Sequence, residues 1–183
     1  MEVSAVNGGA KELAAAGNVA AVFQVMSNEL DDPRLLHCPR DTEHSIFPIP
    51  QGPHGSLAGN FSGDLKNHIS YFIGLDASAQ RPNAFLSGDD NFEIGGVPAK
   101  PGLLEISKSA SIAWTSARHT TYKRHYWSAK TSFGNVCLAD GSVQQTTISS
   151  RTNLVERSTG TITTDLTSLL QTTGLATNRL AIP

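Results

Sequence analysis

The chain alternates between short stretches of regular hydrophobic spacing and longer polar segments. The first regular stretch carries apolar residues on one face of a helix, at Val19, Val22, Phe23, Met26 and Leu30. This spacing predicts an amphipathic helix that begins after the N-cap Asn18 and ends before Asp31-Asp32-Pro33. The apolar face is interpreted as one that packs on a sheet, and a partner-binding helix is the alternative.

Six segments rich in β-branched and aromatic residues are predicted as strands. They cover residues 69–75, 84–88, 103–106, 111–114, 135–139 and 143–148. The last two flank Asp140-Gly141, where glycine can adopt the positive φ of a tight turn, so they form a predicted hairpin. The irregular segments 39–64 and 88–102 are predicted as loops.

The C-terminal part of the chain returns to helical spacing. Residues 149–157 and 165–171 are predicted as short helices, with Gly174 just beyond the second one. The apolar tail 177–183 is predicted to pack on the sheet. An early helix, antiparallel strands and late helices are typical of an α+β domain, here one domain over 1–183 with 1–17 flexible.

Composition narrows the possible functions. Hydrophobic residues make up 39% of the chain, charged residues only 16%, and the net charge is −2. The chain therefore lacks the basic surface that nucleic acids or anionic membranes require, and no apolar run reaches the roughly 18 residues that span a bilayer. Cys38 and Cys137 are interpreted as free thiols, with a disulfide as the alternative.

Two groups of side chains could hold a metal ion. Asp89, Asp90, Asn91 and Glu93 offer the oxygen ligands that Ca²⁺ prefers, although a solvated acidic turn has the same composition. A zinc or copper ion could be held by His37, Cys38 and His44, with Asp41 as a further ligand. Neither group matches a known spacing motif, so both remain open.

A basic and aromatic segment lies between the fourth and fifth predicted strands. It contains Tyr122, Tyr126 and Trp127 among arginine, lysine and histidine residues at 118–125. Aromatic rings of this kind stack on sugars, which suggests polysaccharide binding. A solvated loop edge is the other interpretation.

Catalysis is the weaker alternative because no nucleophile motif is present. A hydrolase of esters, lactones or glycosides would use His119 or His125 as the base and Asp89 or Asp140 as its partner. A glycosidase would instead need two carboxylates at a fixed separation. The candidate pairs are Glu105 with Asp140 and Asp76 with Asp89.

Several blocks of the chain, in the same order, resemble the type II secretion pseudopilin-like proteins of planctomycetes and verrucomicrobia. The blocks are 23–30, 36–41, 69–77, 86–91, 133–144 and 177–183, including Ile69-Ser70-Tyr71-Phe72-Ile73-Gly74-Leu75-Asp76-Ala77 and the Asp140-Gly141 run. One departure is Lys130, which stands where the family has a histidine; His119 and His125 lie upstream of it.

The resemblance implies a fold and a setting rather than a reaction. It implies a pseudopilin-like head, in which an N-terminal helix packs on an antiparallel sheet. It also implies association with other pseudopilin subunits or with itself, a calcium-stabilised loop, and a periplasmic or cell-surface location. Family members carry a leader and a long apolar helix as the inner-membrane anchor, and this chain is expected to be the head without that anchor.

Overall fold

The computed structural model describes residues 3–30, 32–39, 41, 44, 65–115, 133–147 and 165–183. In these residues four short α-helices and nine β-strands form an α+β structure. The helices are α1 (Lys11–Ala15), α2 (Val19–Val25), α3 (Ser27–Leu30) and α4 (Leu166–Thr172). The strands are β1 (Tyr71–Gly74), β2 (Phe85–Asp89), β3 (Phe92–Ile94), β4 (Val97–Pro98), β5 (Gly102–Ser107), β6 (Ile112–Trp114), β7 (Phe133–Leu138), β8 (Val143–Thr147) and β9 (Thr177–Ile182).

The predicted N-terminal helix is present but is divided into α2 and α3. Asn18 caps it as predicted, because its Oδ1 accepts the N–H of Ala21 at 3.0 Å. Met26 leaves helical geometry at φ −92° and ψ 11°, and this residue separates the two helices. Val19, Val22 and Phe23 are buried, which confirms that the apolar face packs inside the domain.

Six strands form one antiparallel sheet in the order β5-β9-β1-β2-β7-β8. The tail predicted to pack on this sheet is instead a strand within it, since β9 lies between β5 and β1. A row of cross-strand partners runs across the whole sheet: Leu103, Ala181, Ile73, Ser87, Cys137 and Val143. Directly opposed residues point to the same face, so this row defines one side, here named the helix face.

Helices α1 and α2 cover the middle of the helix face. One buried cluster contains Val19, Val22 and Phe23 together with Ile73 and Ala181. The opposite face packs on α4 and on a second sheet, in the order β4-β3-β6, through a larger cluster centred on aromatic residues. The six-stranded sheet therefore lies between two apolar layers.

The predicted loop over 88–102 was wrong in part, because β3 and β4 lie within it. They form a hairpin in which Ile94 pairs with Val97 across Gly95-Gly96. Both glycines have positive φ, at +57° and +82°. Gly-Gly between two short apolar segments is a two-residue hairpin signal, and it was present in the sequence.

The hairpin predicted at Asp140-Gly141 is confirmed with a longer loop. Gly141 donates its N–H to the carbonyl of Leu138, and Leu138 donates its own to the carbonyl of Ser142, both at 2.9 Å. Three residues therefore form the loop, and Gly141 has φ +85°. A glycine in this left-handed position is typical of three-residue hairpin loops.

The second predicted C-terminal helix is confirmed as α4. Asp165 caps it by accepting the N–H of Ser168 at 2.8 Å, and Gly174 beyond its end has φ +73°. The helix predicted at 149–157 lies outside the described residues. Among the residues described, no helix combines the length and the apolar character needed to cross a membrane.

Candidate functional site

Two polar sites stand out on and beside the six-stranded sheet. The first lies at the start of β1, on the helix face, and is named the Tyr71 cluster: Cys38, Asp41, His44, Ser70, Tyr71 and Asp89. The second lies at the other end of β1 and is named the Arg81 cleft: Leu75, Asp76, Ala77, Ser78, Gln80, Arg81 and Arg179.

The Tyr71 cluster is held together by the segment that follows the 3-10 turn Pro33–Leu36. Ser70 accepts the N–H of Cys38 on its Oγ at 2.9 Å, and it donates its own N–H to the carbonyl of Leu36. Asp41 donates its N–H to the carbonyl of Cys38. These contacts hold residues 36–38 against the beginning of β1 and join Asp41 to Cys38.

A carboxylate–imidazole pair lies in the same cluster. Asp41 Oδ2 is 2.6 Å from Nδ1 of His44, and the carboxyl side chain is only 1% exposed. His37 Nε2 is 3.2 Å from the carbonyl oxygen of His44, which can only accept, so the imidazole donates in this contact. That nitrogen therefore cannot offer a lone pair to a metal in this arrangement.

Tyr71 is the side chain most affected by the cluster. Burial, followed by the charges of Cys38, Asp89 and Asp41, raises its pKa to about 12. Asp89 is opposite Tyr71 in the register of β1 and β2. Its carboxylate accepts the N–H of Asn135 at 2.8 Å, so Asp89 also joins the ends of β2 and β7.

The structure places the predicted calcium ligands in different surroundings. Asp90 is fully buried and donates its N–H to the carbonyl of Ser70, while Glu93 lies on β3 between Ala113 and Pro98. Asn91 donates from Nδ2 to the carbonyl of Thr115 at 3.1 Å.

One feature of Asn91 suits a cation, since its buried Oδ1 has no hydrogen-bond partner among the described residues. However, no group of three histidine, cysteine or acidic side chains in the described part of the chain could hold a metal ion. The calcium site stays a prediction.

The carboxylates considered for catalysis lie far apart. Asp140 is on the β7–β8 loop and accepts the N–H of Ser142 at 2.9 Å, and the hydrogen bonds from Ser142 lower its pKa. That loop adjoins the Phe85 end of β2, whereas Asp89 is at the other end, about 13 Å along the strand. Asp76 and Asp89 are likewise at opposite ends of the β1–β2 pair.

Glu105 and Asp140 are not brought together either. Glu105 lies on β5, which is separated from β7 by three strands, or about 19 Å. The remaining predicted residues, His119, His125, Tyr122, Tyr126 and Trp127, lie outside the described residues.

Cys38 and Cys137 are both free and partly buried in the structure. Burial, with a contribution from the charge of Asp140, raises the pKa of the Cys137 thiol. Cys137 therefore stays protonated at neutral pH and is a poor nucleophile.

The Arg81 cleft was not predicted from the sequence. It measures about 330 Å³ and has a largely polar lining. At its base, Arg179 donates to Asp76 Oδ1 from Nε at 3.0 Å and from the terminal Nη2 at 2.6 Å. Asp76 and Arg179 are 103 positions apart, so no local pattern links them, although both lie in blocks that resemble the pseudopilin-like family.

In comparisons with known proteins, no family model, no curated protein and no solved structure matches the chain. The resemblance to pseudopilin-like proteins therefore depends on the sequence blocks alone.

Proposed function

We propose that this chain is the head domain of a pseudopilin-like subunit, and that it functions by assembling with other subunits rather than by catalysis. The observation that supports this most is the packing of α2 on the six-stranded sheet. Val19, Val22 and Phe23 share a buried cluster with Ile73 of β1 and Ala181 of β9. An N-terminal helix on an antiparallel sheet is the arrangement that the family resemblance implies.

The outer strands of the large sheet support a role in assembly. The row on the helix face ends at Leu103 on β5 and Val143 on β8, whose side chains are 48% and 64% exposed. Outer strands with exposed aliphatic side chains are sites where a second chain can pair or pack. Contacts between two different edges join copies head to tail, and they generate an open filament where the rotation between copies does not close into a ring.

Under this proposal the subunit works on the periplasmic side of the inner membrane or at the cell surface. Its partners are other pseudopilin subunits or further copies of itself.

The proposal is tested by chemical cross-linking in cells that produce the chain from its own gene. Cross-linked species should contain either several copies of the chain or the chain joined to other subunits. We expect Val143→Glu to reduce these species, because a charge on the outer strand must be desolvated in any contact there. Val6→Glu is the matched control, since Val6 is 94% exposed and lies outside the sheet.

Two results would contradict the proposal. One is a chain that remains at monomer mass in every cell fraction. The other is a purified monomer that hydrolyses ester or glycoside substrates and loses this activity when His119→Ala and His125→Ala are combined. If the cross-linked species persist unchanged in Val143→Glu, the outer strand β8 is not the contact.

A further inference from the structure

The Arg81 cleft has the size and the chemistry of a site for a small ligand. Its volume of about 330 Å³ is at the lower end of the range for ligand pockets. Two arginines, a carboxylate, the Gln80 amide and the Ser78 hydroxyl supply its polar groups. This cleft is independent of the contacts on which the proposed assembly depends.

The carboxylate of Asp76 is already satisfied. Its Oδ1 accepts two hydrogen bonds from the Arg179 side chain, and its Oδ2 accepts the backbone N–H of Arg179 at 2.8 Å. Burial raises the pKa of Asp76, but the hydrogen bonds and the charge of Arg179 and the charge of Arg81 outweigh it and lower the pKa. Asp76 is therefore an anion whose acceptors and charge are matched by Arg179.

Arg81 is the cation of the cleft that is not matched. Its Nη1 is 3.9 Å from Asp76 Oδ1, which is too far for a hydrogen bond. Within the described residues its guanidinium makes no other ion pair and donates no hydrogen bond. The side chain is 51% exposed, so a planar set of five N–H donors is available in the cleft.

The backbone holds Arg81 in place from both sides. Its N–H donates to the carbonyl of Ser78 at 2.9 Å, and its carbonyl accepts the N–H of Ala84 at 3.0 Å. Leu75, at the start of the same loop, donates its N–H to the carbonyl of Arg179. The loop that carries Arg81 is thus tied both to itself and to β9, and binding would need little rearrangement.

We propose that the Arg81 cleft binds a small oxyanion, a carboxylate or a phosphate group, through the guanidinium of Arg81. Arginine pairs with both groups by two parallel hydrogen bonds. Gln80 and Ser78 are the neutral partners that line the same space. A cation is disfavoured, because the carboxylate that would receive it is occupied by Arg179.

The test is calorimetric titration of the full chain with two probes, succinate and inorganic phosphate, at low salt. The two probes distinguish a planar carboxylate from a tetrahedral anion. We expect saturable binding of at least one, and Arg81→Gln should weaken it by about tenfold or more, because the charge-assisted hydrogen bonds are lost. Arg81→Lys keeps the positive charge but lacks the planar set of donors. Its affinity for the probe should therefore lie between that of the unaltered chain and that of Arg81→Gln.

Lys108→Gln is the matched control, since it removes the same charge from a residue outside the cleft. It should bind the probe as the unaltered chain does. Thermal unfolding of Arg81→Gln should match that of the unaltered chain, because the half-exposed Arg81 side chain makes a single long ion pair, with Asp76 at 3.9 Å. Absence of saturable binding of both probes, or equal binding by Arg81→Gln, would overturn the inference and leave the proposed assembly untouched.

Discussion

Tyr71 lies at the start of strand β1, and its pKa is raised well above the usual tyrosine value. Its ring lies on the helix face beside Cys38, Asp41 and Asp89, where burial and negative charge oppose loss of the phenolic proton. The Asp41–His44 contact in the same cluster is similarly enclosed. The proton affinity of Tyr71 is therefore raised by side chains that come from two places in the sequence, Cys38 and Asp41 before β1 and Asp89 on β2.

At this scale we predict a pH dependence of stability. The pKa of Tyr71 is about 12 in the folded chain and about 10 in an unfolded one. Between these values the folded state keeps a proton that the unfolded state releases, so the free energy of unfolding falls as pH rises through this window. Alkaline titration followed by tyrosinate absorbance should show one tyrosine titrating near 12.

Tyr71→Phe is the matched variant because it keeps the ring. It should remove this late step and leave Tyr122 and Tyr126, the other tyrosines of the chain, to titrate as before. The prediction would be contradicted if Tyr71→Phe lost a titration step at about pH 10, the usual tyrosine value, instead of the step at about pH 12.

At the scale of elements, the β7–β8 hairpin depends on the backbone of one residue. Gly141 has φ +85°, and a Cβ added there would meet no atom of the described part of the chain within 4 Å. Any cost of substitution is therefore conformational rather than steric against a neighbour. Asp140 supports the same loop through its hydrogen bond with the N–H of Ser142.

We predict that Gly141→Val lowers the free energy of unfolding by about 1 kcal/mol or more, because a β-branched residue resists positive φ. Gly141→Asn should cost less, since asparagine adopts the left-handed region more readily. Chemical denaturation of both variants measures the change in the free energy of unfolding from the shift of the midpoint. The dependence of that free energy on denaturant concentration should be the same as in the unaltered chain. An unchanged midpoint for Gly141→Val would refute this view of the loop.

At the scale of the whole molecule, a chain of aromatic rings joins the two sheets. Phe72 of the large sheet meets Phe92 of the small sheet at 5.8 Å between ring centroids, and Phe92 meets Trp114 at 6.4 Å, both edge to face. The indole also lies so close to Gly134 on β7 that a Cβ there would be 2.7 Å from it. Because Gly134 has no side chain, Trp114 of the small sheet can pack directly against the backbone of β7.

One buried hydrogen bond fixes the two sheets relative to each other. Trp114 donates from Nε1 to the hydroxyl of Thr146 on β8 at 2.7 Å, and both residues are almost fully buried. We predict that Thr146→Val destabilises the domain by about 1–3 kcal/mol, because the indole N–H loses its acceptor in the core. Equilibrium unfolding in urea measures the loss.

Thr146→Ser is the control for this bond, since it keeps the hydroxyl and removes only a methyl group. It should cost about 1 kcal/mol, the usual scale for one buried methyl group. Equal stability of Thr146→Val and the unaltered chain would show that the bond does not hold the sheets together.

The sequence by itself determined the elements whose signals are local. Asn18 caps a helix as predicted, the helix predicted from Asp165 forms with that residue as its cap, and the Asp140-Gly141 turn joins two strands. Caps and turns depend on residues a few positions apart. The Gly95-Gly96 hairpin belongs to the same class and could have been recognised from its dipeptide. Mixed helix and antiparallel sheet therefore followed from pattern alone.

Only the tertiary structure decided which distant segments meet. The tail became the strand between β1 and β5, because its apolar residues could be buried on both faces there, and no local pattern specifies that partner. The same pairing brought Arg179 to Asp76 and left Arg81 beside them with its donors unused. Strand order separates Glu105 from Asp140, and register separates Asp76 from Asp89, although each pair was a candidate for a glycosidase site. Strand order and register depend on the packing of the whole chain.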